Sequence, residues 1–525
     1  MPERAQNDTS AAQSLDDRPG MTLPPTRPAE TAGTPEAGAP INQWKTLDKD
    51  LKRIVQLEQA GQFVGRPLLS LGIALVFIVL AGVAASVIVG GTPNALVIVA
   101  AAAFGAYMAL NIGANDVANN MGPAVGANAL TMTGALAIAA VFETAGALIA
   151  GGDVVSTISG GIVDPASVAE AGIFVWAMMA ALIAAAVWLN VATAIGAPVS
   201  TTHSIVGGVM GAGMVAAGLG AVNWPVMGQI AASWVISPVL GGVFAALFLA
   251  FIKHRLIDAE DKIAAARFWV PLLIGVMAAA FSAYLVLKGL RKLMEVDLPA
   301  ALMIGLVFGV LTVFLTRPLV RRQSEGLENR KKSLKKLFGL PLVVSAALLS
   351  FAHGANDVAN AVGPLAAIVH AVSDGDTAAK VSIPLWVMII GAGGISFGLV
   401  LFGPKLIRMV GSEITKLNPM RAYCVALSAA ITVIVASGLG LPVSSTHIAV
   451  GGIFGVGFYR EWQAERRSRA LGLIKGKPLP PEERKRRKLV RRAHFLTIGA
   501  AWVVTVPATA ALSAVIFLGL RTLGN

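Results

Sequence analysis

Gly113-Ala-Asn-Asp-Val-Ala-Asn119 followed by Ala197-Pro-Val-Ser-Thr-Thr-His203 recurs as Gly354-Ala-Asn-Asp-Val-Ala-Asn360 followed by Leu441-Pro-Val-Ser-Ser-Thr-His447, in the same order and in apolar surroundings. The motif Asn and the motif His stand 88 positions apart in the first copy (115 to 203) and 91 in the second (356 to 447). Carboxylates, carboxamides and hydroxyls are expensive at membrane depth, so their default reading there is a functional site. A duplicated set points to one site at the interface of two repeats, which is how secondary transporters are built.

Composition fixes the class. Hydrophobic residues make up 55% of the 525 positions and charged residues 14%. Apolar stretches long enough to cross ~30 Å of hydrocarbon recur from residue 68 to residue 519. The chain reads as an all-α polytopic membrane protein whose surroundings are a lipid bilayer. The single Cys424 excludes an intrachain disulfide framework and a thiolate metal cluster. The formal charge of +13 sits in loops flanking spans, the ordinary positive-inside pattern, and argues against nucleic acid as a partner. Residues 1–66 differ: Pro, Ala, Thr, Gly and acidic residues dominate to about residue 41, a mixture that cannot bury enough apolar surface to order itself. No signal peptide is expected there, and Trp44 to Gln62 has the spacing of an interfacial helix.

Candidate membrane segments are 68–90, 95–129, 133–151, 173–193, 197–220, 225–252, 268–287, 298–316, 338–369, 380–402, 422–438, 441–459 and 494–519. Segments 95–129 and 338–369 are overlong and carry Gly122-Pro123 and Gly363-Pro364 after their Asp, so both are expected to be interrupted helices. Segments 173–193 with 197–220, and 422–438 with 441–459, have very short breaks and are expected to be re-entrant hairpins with their tips inside the protein. Loop 317–336 holds eight Lys/Arg, and loop 460–492 holds Arg466, Arg467, Arg469 and the run Arg484 to Lys488, so both should be cytoplasmic. The outer loop 152–172 has no Lys or Arg, whereas 403–421 has four, so the two repeats read as inverted. Lys288, Arg291 and Lys292 fall on the expected outer side, against the trend.

The resulting organisation starts with a disordered cytoplasmic tail over 1–66 and an added N-terminal transmembrane helix over 67–94. A first inverted repeat spans 95–252, scaffold spans with basic cytoplasmic loops fill 253–337, and the second repeat spans 338–459. A basic cytoplasmic loop (460–493) and a C-terminal transmembrane helix (494–525) complete it, with the C-terminus external.

Within Asn115-Asp116-Val-Ala-Asn119 the two carboxamides are i and i+4 on one helix face beside the carboxylate, and Asn356, Asp357 and Asn360 repeat the pattern. Such oxygen sets suit an alkali cation or, on the carboxylate, a proton. The bland alternative is helix–helix hydrogen bonding between polar residues. Pro198-Val-Ser-Thr-Thr and Pro442-Val-Ser-Ser-Thr read as helix starts, where free N–H groups and the dipole favour a tetrahedral oxyanion. Ser200, Thr201 and Thr202, facing Ser444, Ser445 and Thr446, are the candidate anion ligands; ordinary capping is their alternative. Neither motif contains Arg or Lys, so a cation at the Asp sites has to balance the anion, a physical reason for symport. His203 and His447 follow the hydroxyls as candidate substrate or proton contacts. His353 has Ile112 as its counterpart and reads as dispensable. Glu143, in an apolar span and without a neighbouring cation, is a further coupling-ion candidate whose counterpart position lies near Gly391. Asp153 and Asp164 read as solvated loop acids.

The doubled Gly-Ala-Asn-Asp-Val-Ala-Asn and Pro-Val-Ser-Thr/Ser-Thr-His pair resembles the inorganic phosphate transporter (PiT) family over roughly residues 95–520. The resemblance implies about twelve membrane segments in two inverted repeats, phosphate moved with a coupling cation, and usually a dimer. It places Asp116, Asn119, Asp357 and Asn360 at cation sites and Ser200, Thr201, Thr202, Ser444, Ser445 and Thr446 around phosphate. The Gly-Ala-Asn-Asp form is more similar to the sodium-coupled branch than to the proton-coupled one. Asn120-Met121 replaces the commoner Ala-Phe, and segment 68–90 is an added span that would put the N-terminus in the cytoplasm. The expected function is import of inorganic phosphate across the cell (inner) membrane by alternating access, with sodium or proton as the coupling ion. No cofactor is expected, and no metal beyond sodium at Asp116 and Asp357. The alternatives are a sulfate permease of the same family and, from another class, an ion channel. An enzyme is not expected, since His and Asp look too sparse for a metal centre and no nucleophile stands beside a base.

Overall fold

The computed structural model describes residues 68–92, 94–168, 170–195, 199–289, 296–375, 381–409, 417–470 and 492–524. The chain divides into Met1–Gly65 and Arg66–Asn525. The expected tail, its interfacial helix, Arg291, Lys292 and the run Arg484 to Lys488 lie outside the described residues.

Sixteen helices follow in chain order among the described residues. They are α1 (Leu68–Ile88), α2 (Ala95–Gly126), α3 (Met132–Ala150), α4 (Gly152–Ser156), α5 (Ala171–Ile195), α6 (Thr201–Ala217), α7 (Trp224–Ile252) and α8 (Lys262–Gly289). The second half holds α9 (Leu298–Ser324), α10 (Lys331–Leu337), α11 (Gly339–Asp357), α12 (Ala359–Asp374), α13 (Leu385–Met409), α14 (Pro419–Gly438), α15 (Ser445–Ala470) and α16 (Arg492–Gly524). Among the described residues, eleven helical spans are long and apolar enough to cross a membrane, and α11 with α12 counts as one of them. Helix starts follow local chemistry: Thr131, Asn223, Asp297 and Asn418 each accept from a backbone N–H of the first turn, and the last three precede a proline at N1 or N2.

Helices α11 and α12 are the most deeply buried of the long apolar helices, whereas most of α9 is exposed. Around the centre, α11 packs on α3 and α14, α13 on α2, α15 on α7 and α16 on α6. The close contacts are themselves duplicated. A Cβ at Gly354 would overlap the Glu143 carbonyl, and one at Gly113 would overlap that of Ile395. Gly146 meets the Phe351 carbonyl in the same way as Gly398 meets that of Leu110. In a bilayer, where burying apolar side chains gains little, such small-residue contacts let backbones approach and hold helices together. They also align the repeats: the counterpart of Glu143 is Ile395, not Gly391. Thr144 and Ser396, one position on in each copy, hydrogen-bond each other at 2.6 Å.

Four expectations change. Helix α2 is unbroken through its motif and through Pro123; membrane helices tolerate an interior proline when neighbouring groups satisfy the freed backbone, and Pro238 and Pro507 also lie inside unbroken helices. The second copy breaks only at Val358, between Asp357 and Ala359, before Pro364; the Val358 N–H reaches Gly354 O at a stretched 3.4 Å. Residues 152–168 form a packed element, although Asp164 is exposed as expected and Asp153 is half-exposed. It contains α4 and a π-turn over Thr157–Gly161, and Val163 bridges to Val222. Asp153 there pairs with Lys288, which accounts for that lysine's side of the molecule, and Asp164 caps Ala166 N. Helix α15 runs on to Ala470, into the expected loop after 459. Helix α5 ends at Ile195 and α6 begins at Thr201, with 196–198 outside the described residues, and α14 ends at Gly438 and α15 begins at Ser445.

The close approach of α11 to α3 is testable. Gly354→Ala should lower the apparent unfolding midpoint, at a cost of about 1–3 kcal/mol for an overpacked contact. Gly339→Ala, where a Cβ meets nothing within 4 Å, should leave it in place. Equal midpoints for the two variants would contradict the packing.

Candidate functional site

The two hairpin tips and the two Asn-Asp helices meet in one buried cluster. Thr201, the first residue of α6, donates from Oγ1 to Asp116 Oδ2 at 2.9 Å, and Thr446 of α15 donates to Asp116 Oδ1 at 3.0 Å. Asp116 of the first copy thus receives one hydroxyl from each hairpin. Asp357 has the matching pair at longer range, Ser445 Oγ at 3.4 Å and Thr202 Oγ1 at 3.5 Å. All six of these side chains are buried.

The four motif asparagines divide by role. Asn119 Nδ2 donates to Thr446 Oγ1 at 2.7 Å, and Asn360 Nδ2 lies 3.3 Å from Thr202 Oγ1, so each reaches the hairpin of the other copy. Asn115 and Asn356 hold the hairpins of their own copy instead. Asn115 donates to Thr193 Oγ1 at 3.4 Å; Asn356 donates to Ser437 Oγ at 2.9 Å and accepts from Val443 N at 3.3 Å.

The second tip is non-helical at membrane depth, so its carbonyls need donors. Four consecutive ones find them: Thr157 Oγ1 donates to Gly440 O, Asn356 Nδ2 to Leu441 O, Trp234 Nε1 to Pro442 O and Thr202 Oγ1 to Val443 O, at 2.7–3.2 Å. Ser200 and Ser444 are caps. Their Oγ atoms accept from His203 N and His447 N at 3.2 and 3.3 Å, so the bland reading describes these two hydroxyls while the next two in each copy face the carboxylates. The His203 and His447 rings lie behind the hydroxyl row with centroids 4.5 Å apart, and His203 packs edge-on against Trp234. His203 also lines an apolar cavity of about 1110 Å³ with Met210, Trp234 and Phe454.

His353 is central, which corrects its reading as a dispensable counterpart of Ile112. Its Nδ1 lies 3.2 Å from Glu143 Oε2 and its Nε2 lies 2.8 Å from Asp357 Oδ2 and 3.7 Å from Asp116 Oδ2. Glu143 therefore has a basic neighbour, and its Oε1 accepts from Asn120 Nδ2 at 2.9 Å. The His353-to-Asp357 spacing of i, i+4 is the sequence signal for that contact; no spacing pointed to Glu143 or Trp234. Ligand atoms of Asp116, His353 and Asp357 lie within 4.8 Å of one another, so a cation-sized donor set exists where the sequence looked too sparse for one. Three carboxyl groups stand against one imidazole, and among the described residues no lysine or arginine contacts them.

If the hydroxyl of Thr446 and the carboxamide of Asn119 act as one unit on Asp116, their losses should not add. A double-mutant cycle of Thr446→Ala and Asn119→Ala, read from unfolding midpoints, should show a coupling of about 0.5–3 kcal/mol. Additive effects would mean that the contact across the copies is absent.

This arrangement has relatives. Residues 112–513 match the family model described as the phosphate transporter family. A Helicobacter pylori protein named "Putative phosphate permease" is 45% identical over 90% of this chain and 98% of its own length. A Pyrococcus abyssi protein, also named a phosphate permease, is 36% identical, over 79% of this chain and 95% of its own. Among solved structures, "The sodium-dependent phosphate transporter" superposes with a TM-score of 0.73 at 36% identity, covering 81% of this chain and 99% of that one. The chain belongs to the phosphate transporter family.

Proposed function

We propose that this protein imports inorganic phosphate across the cell membrane by alternating access, with sodium moving in the same direction. The observation that carries the proposal is the meeting of two helix starts, with Thr201, Thr202, Ser445 and Thr446, at two buried carboxylates with no Lys or Arg among the described contacts. Helix N-termini and hydroxyls suit a tetrahedral oxyanion. An anionic cluster repels that oxyanion unless cations enter with it, so cation and phosphate have to bind together. The phosphate permease names of the relatives support phosphate as substrate, and the sodium dependence of the structurally similar transporter supports sodium over a proton.

In the proposed site Asp116, Asn119, Asp357 and Asn360 hold the cations, and Thr201, Thr202, Ser445 and Thr446 hold phosphate. Ser200 and Ser444 fix the helix starts, while Asn115 and Asn356 fix the tips. Glu143 and His353 set the charge behind Asp357. Loop charges orient the protein with its N-terminus and basic loops in the cytoplasm and its C-terminus outside. Each copy then opens to a different side, and moving the tips apart on one face while they close on the other would alternate access.

Uptake of radiolabelled phosphate into proteoliposomes checks this. An inward sodium gradient should drive accumulation, Asp116→Asn should reduce it to the rate of empty vesicles, and Ser445→Ala should slow it by about tenfold, the loss of a hydrogen bond to a charged group. Gradient-independent uptake, or unchanged kinetics in Asp116→Asn, would overturn the assignment. Equal competition by sulfate would favour a broader oxyanion permease, and single-channel currents would favour a channel.

A further inference from the structure

A second basic site lies away from the cluster, between the start of α8 and the end of α9. It is a cavity of about 540 Å³ lined by Ala264, Arg267, Phe268, Phe314, Arg317 and Arg321. Arg317 and Arg321 are i and i+4 on α9, so their like charges share one face and repel. Arg267 enters from α8, and its Nε donates to Ser324 Oγ at 2.7 Å, which aims the guanidinium into the same space. Among the described residues none of the three is paired with a carboxylate. Of the neighbouring acids, Asp261 caps the α8 start at Ile263 N and Ala264 N, Asp258 pairs with Lys253 and Glu328 pairs with Arg330, while Glu260 and Glu325 form no ion pair with the three arginines among the described residues.

Basic residues at the end of a membrane helix are usual on the cytoplasmic side, and two in the last turn also suit the helix dipole. Neither reason requires three arginines from two helices to converge on a cavity. The walls supply the rest. Phe268 is 55% and Phe314 66% exposed, and α9 continues outward from them with Leu306, Val310 and Leu311, all exposed. A free phosphate ion has no use for that apolar flank, whereas a phospholipid fits both parts.

We propose that this cavity binds the phosphate group of an anionic phospholipid headgroup, with the acyl chains lying along the outward face of α9. Basic pockets between membrane helices recognise lipid phosphates through such charge-assisted contacts. The site fixes the height of the α8–α9 pair in the bilayer, and its chemistry is separate from the transport cluster.

The test uses the full-length protein released from nanodiscs of mixed phosphatidylcholine and phosphatidylglycerol, with retained lipids counted by native mass spectrometry. The native protein should retain phosphatidylglycerol preferentially, and the Arg267→Gln, Arg317→Gln, Arg321→Gln variant should lose that preference by about tenfold or more. Should the triple variant fail to fold, Arg321→Gln should still weaken retention while Arg321→Lys preserves it. Equal retention by native and neutralised proteins would overturn the proposal. Displacement of phosphatidylglycerol by inorganic phosphate at matched concentration would also overturn it, by assigning the cavity to the free ion.

Discussion

Three carboxylates buried at membrane depth are the constraint on which the structure depends. Asp116, Asp357 and Glu143 have almost no exposure, and a charge so placed persists only with donors or counter-charges around it. The helix starts of α6 and α15 supply hydroxyls to both aspartates, and His353 stands between Asp357 and Glu143. Bringing those donors to the right depth requires both hairpins to end inside the protein. That in turn leaves non-helical carbonyls to be satisfied, and Thr157, Asn356, Trp234 and Thr202 do so at the second tip. The bond network around the acids and the path of the backbone are therefore one requirement.

The duplication is visible in the packing as well as in the motifs, yet the site is not symmetric. Glu143, His353 and Asn120 form one polar chain. Their counterparts are Ile395, Ile112 and Ala361, all apolar. Asp116 receives a hydroxyl from each copy, whereas Thr202 stands 3.5 Å from Asp357 and gives its proton to Val443 O; only Asp357 has an imidazole at 2.8 Å. The copies place matching hydroxyls and carboxamides around the aspartates while differing in the groups behind each one.

Much of this was legible in the sequence for identifiable reasons. Polar residues repeated in apolar sequence marked the cluster, and the short breaks before Pro198 and Pro442 marked where α6 and α15 begin. What stayed hidden depends on which helix lies across from which. Helical spacing puts Asn115 and Asn119 on one face, but it does not say that one holds its own hairpin while the other reaches Thr446. Comparing the copies made His353 look expendable because Ile112 replaced it; the contact that gives it a role comes from Glu143, over two hundred positions away. Proline was over-read for a similar reason. A proline within a membrane helix need not break it, as Pro123, Pro238 and Pro507 show.

The most direct measurement is a high-resolution structure of the protein with sodium and phosphate bound. One phosphate between the hairpin tips, touched by a hydroxyl from the Thr201–Thr202 pair and another from the Ser445–Thr446 pair, is the expected result. Two phosphates, each confined to the hairpin of one copy, would contradict the convergence of both copies on a single site.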